Sequence, residues 1–87
     1  MVIKTNIKLK DLADKEIDLT VGQAIANVLV SDDAGGKMKS FVLAKRFYSS
    51  ESMDVDKADL SLVKSAIERN KSYTPLITGQ LLVLLEA

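Results

Sequence analysis

The chain has 87 residues, with 12 basic and 12 acidic side chains, no Cys and no His, and a formal net charge of zero. That excludes disulfides and Cys/His zinc sites, removes the overall basic excess that drives non-specific nucleic-acid binding, and leaves a single domain, 1–87, with a thin core. Met1 to Lys10 lacks the apolar run of a signal peptide, and the longest apolar run, Leu81 to Leu85, falls far short of a membrane span, so a soluble intracellular protein is expected.

The first element reads as a strand. In VIKTNIKLKDL, Ile3, Thr5, Ile7 and Leu9 fall on one face and Lys4, Asn6, Lys8 and Lys10 on the other. EIDLT repeats the alternation with Ile17 and Leu19 inward, and DLADK between them suits a turn, so the start is expected to be a β-hairpin. TVGQAIANVLVS follows as a helix over about 21–31. Thr20 and Gln23 form a T-x-x-Q capping box, and Val21, Ala24, Ile25, Val28 and Leu29 carry the helical spacing. SDDAGG then ends the helix, because Asp32 and Asp33 compete for backbone bonds and Gly35–Gly36 interrupts the regular chain.

KMKSFVLAKRFYSS predicts a second helix over about 37–49. Its expected inward face is Met38, Phe41, Val42 and the stem of Lys45, extended by Phe47 and Tyr48. SSESMDVD reads as a loop with a short extended piece at Met53–Val55. A third helix over about 57–70 has Asp56 as its cap, Asp59 in the favourable first turn and a stripe of Leu60, Val63, Ala66 and Ile67. The last helix has Thr74 as its cap and Pro75 at the first helical position. Ile77, Leu81, Leu84 and Leu85 form one stripe, while Leu76, Leu82 and Val83 spread apolar surface round most of the circumference. A helix apolar all round is buried on all sides, within its own domain or against another chain. Gly79 sits mid-helix at a cost of about 1 kcal/mol relative to Ala, which suits close approach by a neighbouring helix. The fold class is therefore α+β, mainly helical: an N-terminal β-hairpin followed by about four short helices.

Chemistry-bearing residues are sparse. Asp54, Asp56 and Asp59 spell D-x-D-x-x-D, but an EF-hand loop begun at Asp54 would find Ala58 at a ligand position, Asp59 at the Gly position and Ser65 at the Glu position, so helix capping is the better account and no metal is assigned. Gly35-Gly36-Lys37 lacks the spacing and the hydroxyl of a phosphate cradle. Lys37, Lys39, Lys45 and Arg46, interleaved with Phe41, Phe47 and Tyr48, are candidate nucleic-acid contacts by charge and stacking. Core packing of the two Phe residues, with the cations solvated, is favoured over that. Ser61 and Lys64 lie three apart on one helix, where solvated surface is the simpler reading, and no nucleophile–base pair stands out. No catalytic residue, cofactor or enzyme activity is expected.

Four stretches carry a resemblance: the T-x-G-x-A-I-x-N-x-L helix from Thr20 to Leu29, M-K-S-F-V-L-A-K-R from Met38 to Arg46, V-D-K-A-D-L-S-L-V-K from Val55 to Lys64, and above all Y-T-P-L-I-T-G-Q from Tyr73 to Gln80. Across nearly its whole length the chain resembles small proteins of tailed phages and prophages, most of them without assigned function. The resemblance implies a phage origin, hence a host-cell cytoplasm, and brings no catalytic residues with it. The leading expectation is a non-enzymatic phage protein that binds a host or virion protein. It would be a homo-oligomer sharing the stripe of Ile77, Leu81, Leu84 and Leu85. The alternatives are a nucleic-acid-binding regulator using the basic helix 37–49, and a small-molecule sponge with a pocket between subunits near SDDAGG.

Overall fold

The structure is a computed structural model and describes residues 2–31, 37–71 and 73–86, the side chains of Lys37 and Glu86 apart. In chain order the described elements are β1 (Val2–Lys4), β2 (Lys8–Lys10), β3 (Glu16–Thr20), α1 (Val21–Ser31), α2 (Lys37–Ser49), β4 (Ser52–Asp54), α3 (Lys57–Arg69) and α4 (Pro75–Glu86). The class is α+β and mainly helical, as the patterning implies.

The expected long first strand is two strands with different partners. β1 pairs antiparallel with β4, Ile3 facing Met53, and β2 pairs antiparallel with β3 to make the hairpin. The break falls at Thr5, whose backbone and hydroxyl are all claimed by other elements. Its N–H donates to the Glu51 carbonyl (2.9 Å), its carbonyl accepts from Gly22 N–H (2.9 Å), and its hydroxyl donates to the Ser50 carbonyl. Ile3, Thr5 and Leu9 are buried as their alternation requires, but Ile7, expected inward, is 44% exposed because the chain turns just before it.

The hairpin turn is held by Asp11. Its Oδ1 accepts from the N–H of Ala13 (2.8 Å) and of Lys15 (3.1 Å), and Asp14 adopts a left-handed conformation (φ 61°) that closes the loop. The capping box forms as its spacing requires: Gln23 N–H donates to Thr20 Oγ1 (3.2 Å), and Thr20 N–H to Gln23 Oε1 (3.1 Å).

α1 is the hub. It packs on α2, α3 and β3, and Val21, Ala24, Ile25, Val28 and Leu29 are almost fully buried. The approach of α1 to its neighbours is closest at Gly22, where a Cβ would stand 2.4 Å from the Phe47 carbonyl oxygen and 2.8 Å from Thr5 Cβ. Only a residue without a side chain fits between α2 and the end of β1 at this distance. α3 begins at Asp56, whose carboxylate accepts from Asp59 N–H (2.7 Å). α4 opens at Pro75, with the Thr74 carbonyl accepting from the N–H groups of Ile77 and Thr78, both at 3.1 Å.

Two expectations about packing are corrected. The inward face of α2 is Ser40, Leu43, Ala44 and Phe47. Met38, Phe41, Val42 and Tyr48, assigned inward by hydrophobicity, are exposed, and of that face only Phe47 is core. Lys45 explains the choice, since the expected stripe runs through a cation whereas the observed one is free of charge. Gly79 is no contact point either: a Cβ there would meet nothing within 4 Å.

Candidate interaction surfaces

The stripe expected to join subunits is occupied within the chain. Leu81 is 0% exposed, Leu85 and Ile77 are also core, and Leu84 is partly buried against them. Within the chain α3 and the rest of the core cover Ile77, Leu81 and Leu85, while Leu84 keeps some exposed surface on the side of β2. The outward apolar residue of α4 is Val83, 70% exposed. Two polar ties fix this helix in place. The Gln80 carboxamide clasps the backbone of Lys10, Nε2 donating to the carbonyl (2.6 Å) and Oε1 accepting from the N–H (2.8 Å). Ahead of α4, Asn27 Nδ2 on α1 donates to the Tyr73 hydroxyl (3.0 Å), and Tyr73 N–H donates to Asn70 Oδ1 (3.0 Å).

The basic residues of α2 have different neighbours. Lys39 Nζ is 3.1 Å from Asp59 Oδ1 of α3 and neutralises it. Lys45 Nζ lies 5.7 Å from the centre of the Phe41 ring, within cation–π range. Arg46 is exposed. Lys37 opens α2, and its side chain lies outside the described residues, as does the loop 32–36 on which the small-molecule reading was centred.

The carboxylates of the D-x-D-x-x-D stretch are likewise divided. Asp56 caps α3 and Asp59 holds Lys39. Among the described residues no group of three or more potential ligands is placed to hold a metal ion. Ser61 and Lys64 line a shallow dent on the outer side of α3 with Lys57, Ser65 and Glu68. No hydrogen bond joins Ser61 to Lys64 among the described residues. No helix of the described residues is long and apolar enough to cross a membrane.

Two surfaces do have the shape and chemistry of docking sites. The first lies on α2 and the end of α1. Met38, Phe41, Val42 and Tyr48 stand out from α2, beside Val30 of α1, and a cleft of about 200 Å³ runs between Val30, Phe41, Lys45 and Tyr48 over a floor of Ala26 and Ala44. Phe41 is 52% exposed, although the chain has only four aromatic residues, two Phe and two Tyr. Apolar side chains gathered in one exposed patch, unlike scattered ones, mark a contact surface. The second is a groove of about 580 Å³ between β2 and α4, walled by Ile7, Leu9, Gly79, Val83 and Leu84, with Lys8 and Lys10 along its rim.

Sequence reasoning missed the first surface by choosing the more hydrophobic of two stripes on α2. The signal that finds it is Lys45: a stripe containing an unpaired cation belongs outside when a charge-free stripe is available on the same helix. It missed the second because the groove depends on where α4 sits relative to β2, which is fixed by the distant Gln80–Lys10 pair.

No family model matches the chain, and no curated protein or solved structure is similar to it.

Proposed function

We propose that the protein acts without catalysis, by binding another protein through the exposed face of Val30, Met38, Phe41, Val42 and Tyr48. The observation that carries this reading is the exposure of Phe41 and its neighbours in a domain with little core material to spare. Burying such a face stabilises a complex by about 25 cal/mol per Å² of apolar surface before the costs of association are subtracted. With Lys39 paired to Asp59, α2 still has Lys45 and Arg46 and no acidic residue, so two copies joined through it would set like charges together. That favours a partner with an acidic rim over a second copy. If the chain is of phage origin, as the resemblance of its sequence implies, that partner is a host or virion protein met in the host cytoplasm.

The test places a photo-crosslinking phenylalanine analogue at position 41 in the intact chain, expressed in bacterial cells. The control places it at Glu51, which is exposed on another part of the molecule. A discrete adduct seen at position 41 and lost with Val42→Asp supports the reading. An adduct with the mass of two chains replaces it with self-association. No adduct above the control overturns it.

A second reading is favoured by one feature. Phe41 and Tyr48 are exposed with Lys45 between them, the arrangement by which single-stranded nucleic acid is gripped through stacking and charge. It calls for affinity that falls steeply with salt.

A further inference from the structure

The groove between β2 and α4 plays no part in the function proposed above, and part of its backbone has no pairing among the described residues. Val21 N–H donates to the Ile7 carbonyl (2.8 Å) and Asp11 N–H to the Lys15 carbonyl (2.9 Å), so the bonds of the β2–β3 ladder flank the pairs Lys8–Thr20 and Lys10–Glu16 and do not join them. In an antiparallel ladder the residues of such pairs turn their own N–H and C=O away from the partner strand. Lys8 and Lys10 therefore present their backbone to the outer edge of β2. At Lys10 both groups are met by the Gln80 carboxamide, which supplies the donor and acceptor that a neighbouring strand would supply. At Lys8 the same two groups meet no partner among the described residues.

The space beside Lys8 is open. Gly79 leaves the wall of α4 without a side chain and has no packing reason within the chain to be glycine. Ile7 and Val83 expose apolar surface on either side, and the lining contains two lysines and no acid. A second copy laid edge to edge would bring lysines against lysines, and like charges directly opposite are destabilising.

We propose that this edge takes an extended, acidic segment of a partner protein by strand addition. The segment pairs with the N–H and C=O of Lys8 and continues the row that Gln80 occupies at Lys10. Its apolar side chains lie against Ile7, Val83 and Leu84, and its carboxylates reach Lys8 and Lys10. Main-chain bonds give such a complex its affinity, and alternate side chains give it selectivity. This site is separate from the face on α2, and either can fail without the other.

The test titrates three capped hexapeptides into the intact, ¹⁵N-labelled protein: Glu-Val repeated three times, Lys-Val repeated three times, and the acidic peptide N-methylated at alternate residues. Exchange of the Lys8 amide with water is followed by NMR. With the acidic peptide at about ten times its Kd, exchange should slow about tenfold, with resonance shifts at Lys8, Gly79 and Val83. The basic and N-methylated peptides should bind at least about tenfold more weakly. Gly79→Leu should fill the groove and abolish the protection, while Gly79→Ala, with the same helix gain and less bulk, retains most of it. The proposal is overturned if Lys8 is unprotected at about 1 mM acidic peptide, or if all three peptides act alike. Shifts confined to α2 also overturn it. In each case the edge lysines would serve only to keep β2 from pairing with other chains.

Discussion

Gly22 and Gly79 make opposite predictions that test the packing directly. At Gly22 an added Cβ stands 2.4 Å from the Phe47 carbonyl oxygen, 2.8 Å from Thr5 Cβ and 3.1 Å from the Thr5 carbonyl oxygen, against ordinary contact at 3.4–4 Å. The closest atom belongs to the backbone of α2 and cannot rotate away, so α1 and α2 must separate by about 1 Å. Overpacking a core costs about 1–3 kcal/mol, and backbone against backbone places this case at the upper end. The better helix propensity of Ala returns at most about 1 kcal/mol. Gly22→Ala should therefore lower stability by about 2 kcal/mol. A domain of this size holds roughly 4–13 kcal/mol in all, so the midpoint of thermal unfolding should fall by on the order of 10 °C. At Gly79 a Cβ meets nothing, and only the propensity counts, so Gly79→Ala should raise stability by about 1 kcal/mol. Urea unfolding followed by far-UV circular dichroism measures both, with the slope of free energy against urea checking that each variant unfolds as the parent does. A neutral Gly22→Ala with unchanged slope would refute the α1–α2 contact, and a destabilising Gly79→Ala would mean that the open wall of α4 is covered.

Ser40 is buried on the inner face of α2, and among the described residues its hydroxyl has no hydrogen-bond partner. Ser40→Ala should raise stability by up to about 1 kcal/mol in the same urea assay, and a loss would mean that the hydroxyl is bonded. Leu81→Lys should unfold the chain, because it removes a fully buried side chain and buries an ammonium, at a cost above about 4 kcal/mol. A soluble, folded monomer by circular dichroism and sedimentation would instead restore α4 as a subunit interface. Lys45→Glu combined with Arg46→Glu should leave unfolding within about 0.5 kcal/mol of the parent, since neither residue is buried. If the nucleic-acid reading holds, the same pair should abolish the salt-dependent binding of a single-stranded oligonucleotide in a fluorescence titration.

Helix positions were legible in the sequence because each is set by local chemistry. Thr20 with Gln23, Asp56 ahead of α3 and Pro75 at the head of α4 determine helix starts through their own backbone neighbours. The partners of the strands were less legible. Ile3 and Leu9 share one alternation, yet their strands belong to separate two-stranded sheets, and β4, which lies some fifty residues from β1 in the chain, becomes its partner. Facing was the least legible feature. The period of α2 permits two stripes, and hydropathy favours the one that the structure leaves outside. The glycines were misread for the same reason: a mid-helix position looks costly in sequence, but the contact that requires glycine is at Gly22, whose neighbours Phe47 and Thr5 come from elsewhere in the chain.

The exposed face of α2 follows from how little can cover it. Within a small domain, a helix lying on one layer of neighbours can bury one stripe. Once Leu43, Ala44 and Phe47 face α1, residues on the far side of α2 have only solvent or another molecule to meet. Met38, Phe41 and Val42 could be polar there at no cost to the core, and an exposed apolar cluster carries a risk of aggregation. Positive charge on the same helix would oppose that risk, because two copies meeting there would set like charges together, and the lysines on β2 would do the same at the open strand edge. Both surfaces thus combine apolar groups that favour contact with positive charge that discourages contact with another copy. An acidic partner satisfies both conditions at once. The zero net charge of the whole chain hides this, because the balance holds over 87 residues and fails locally at each of the two surfaces.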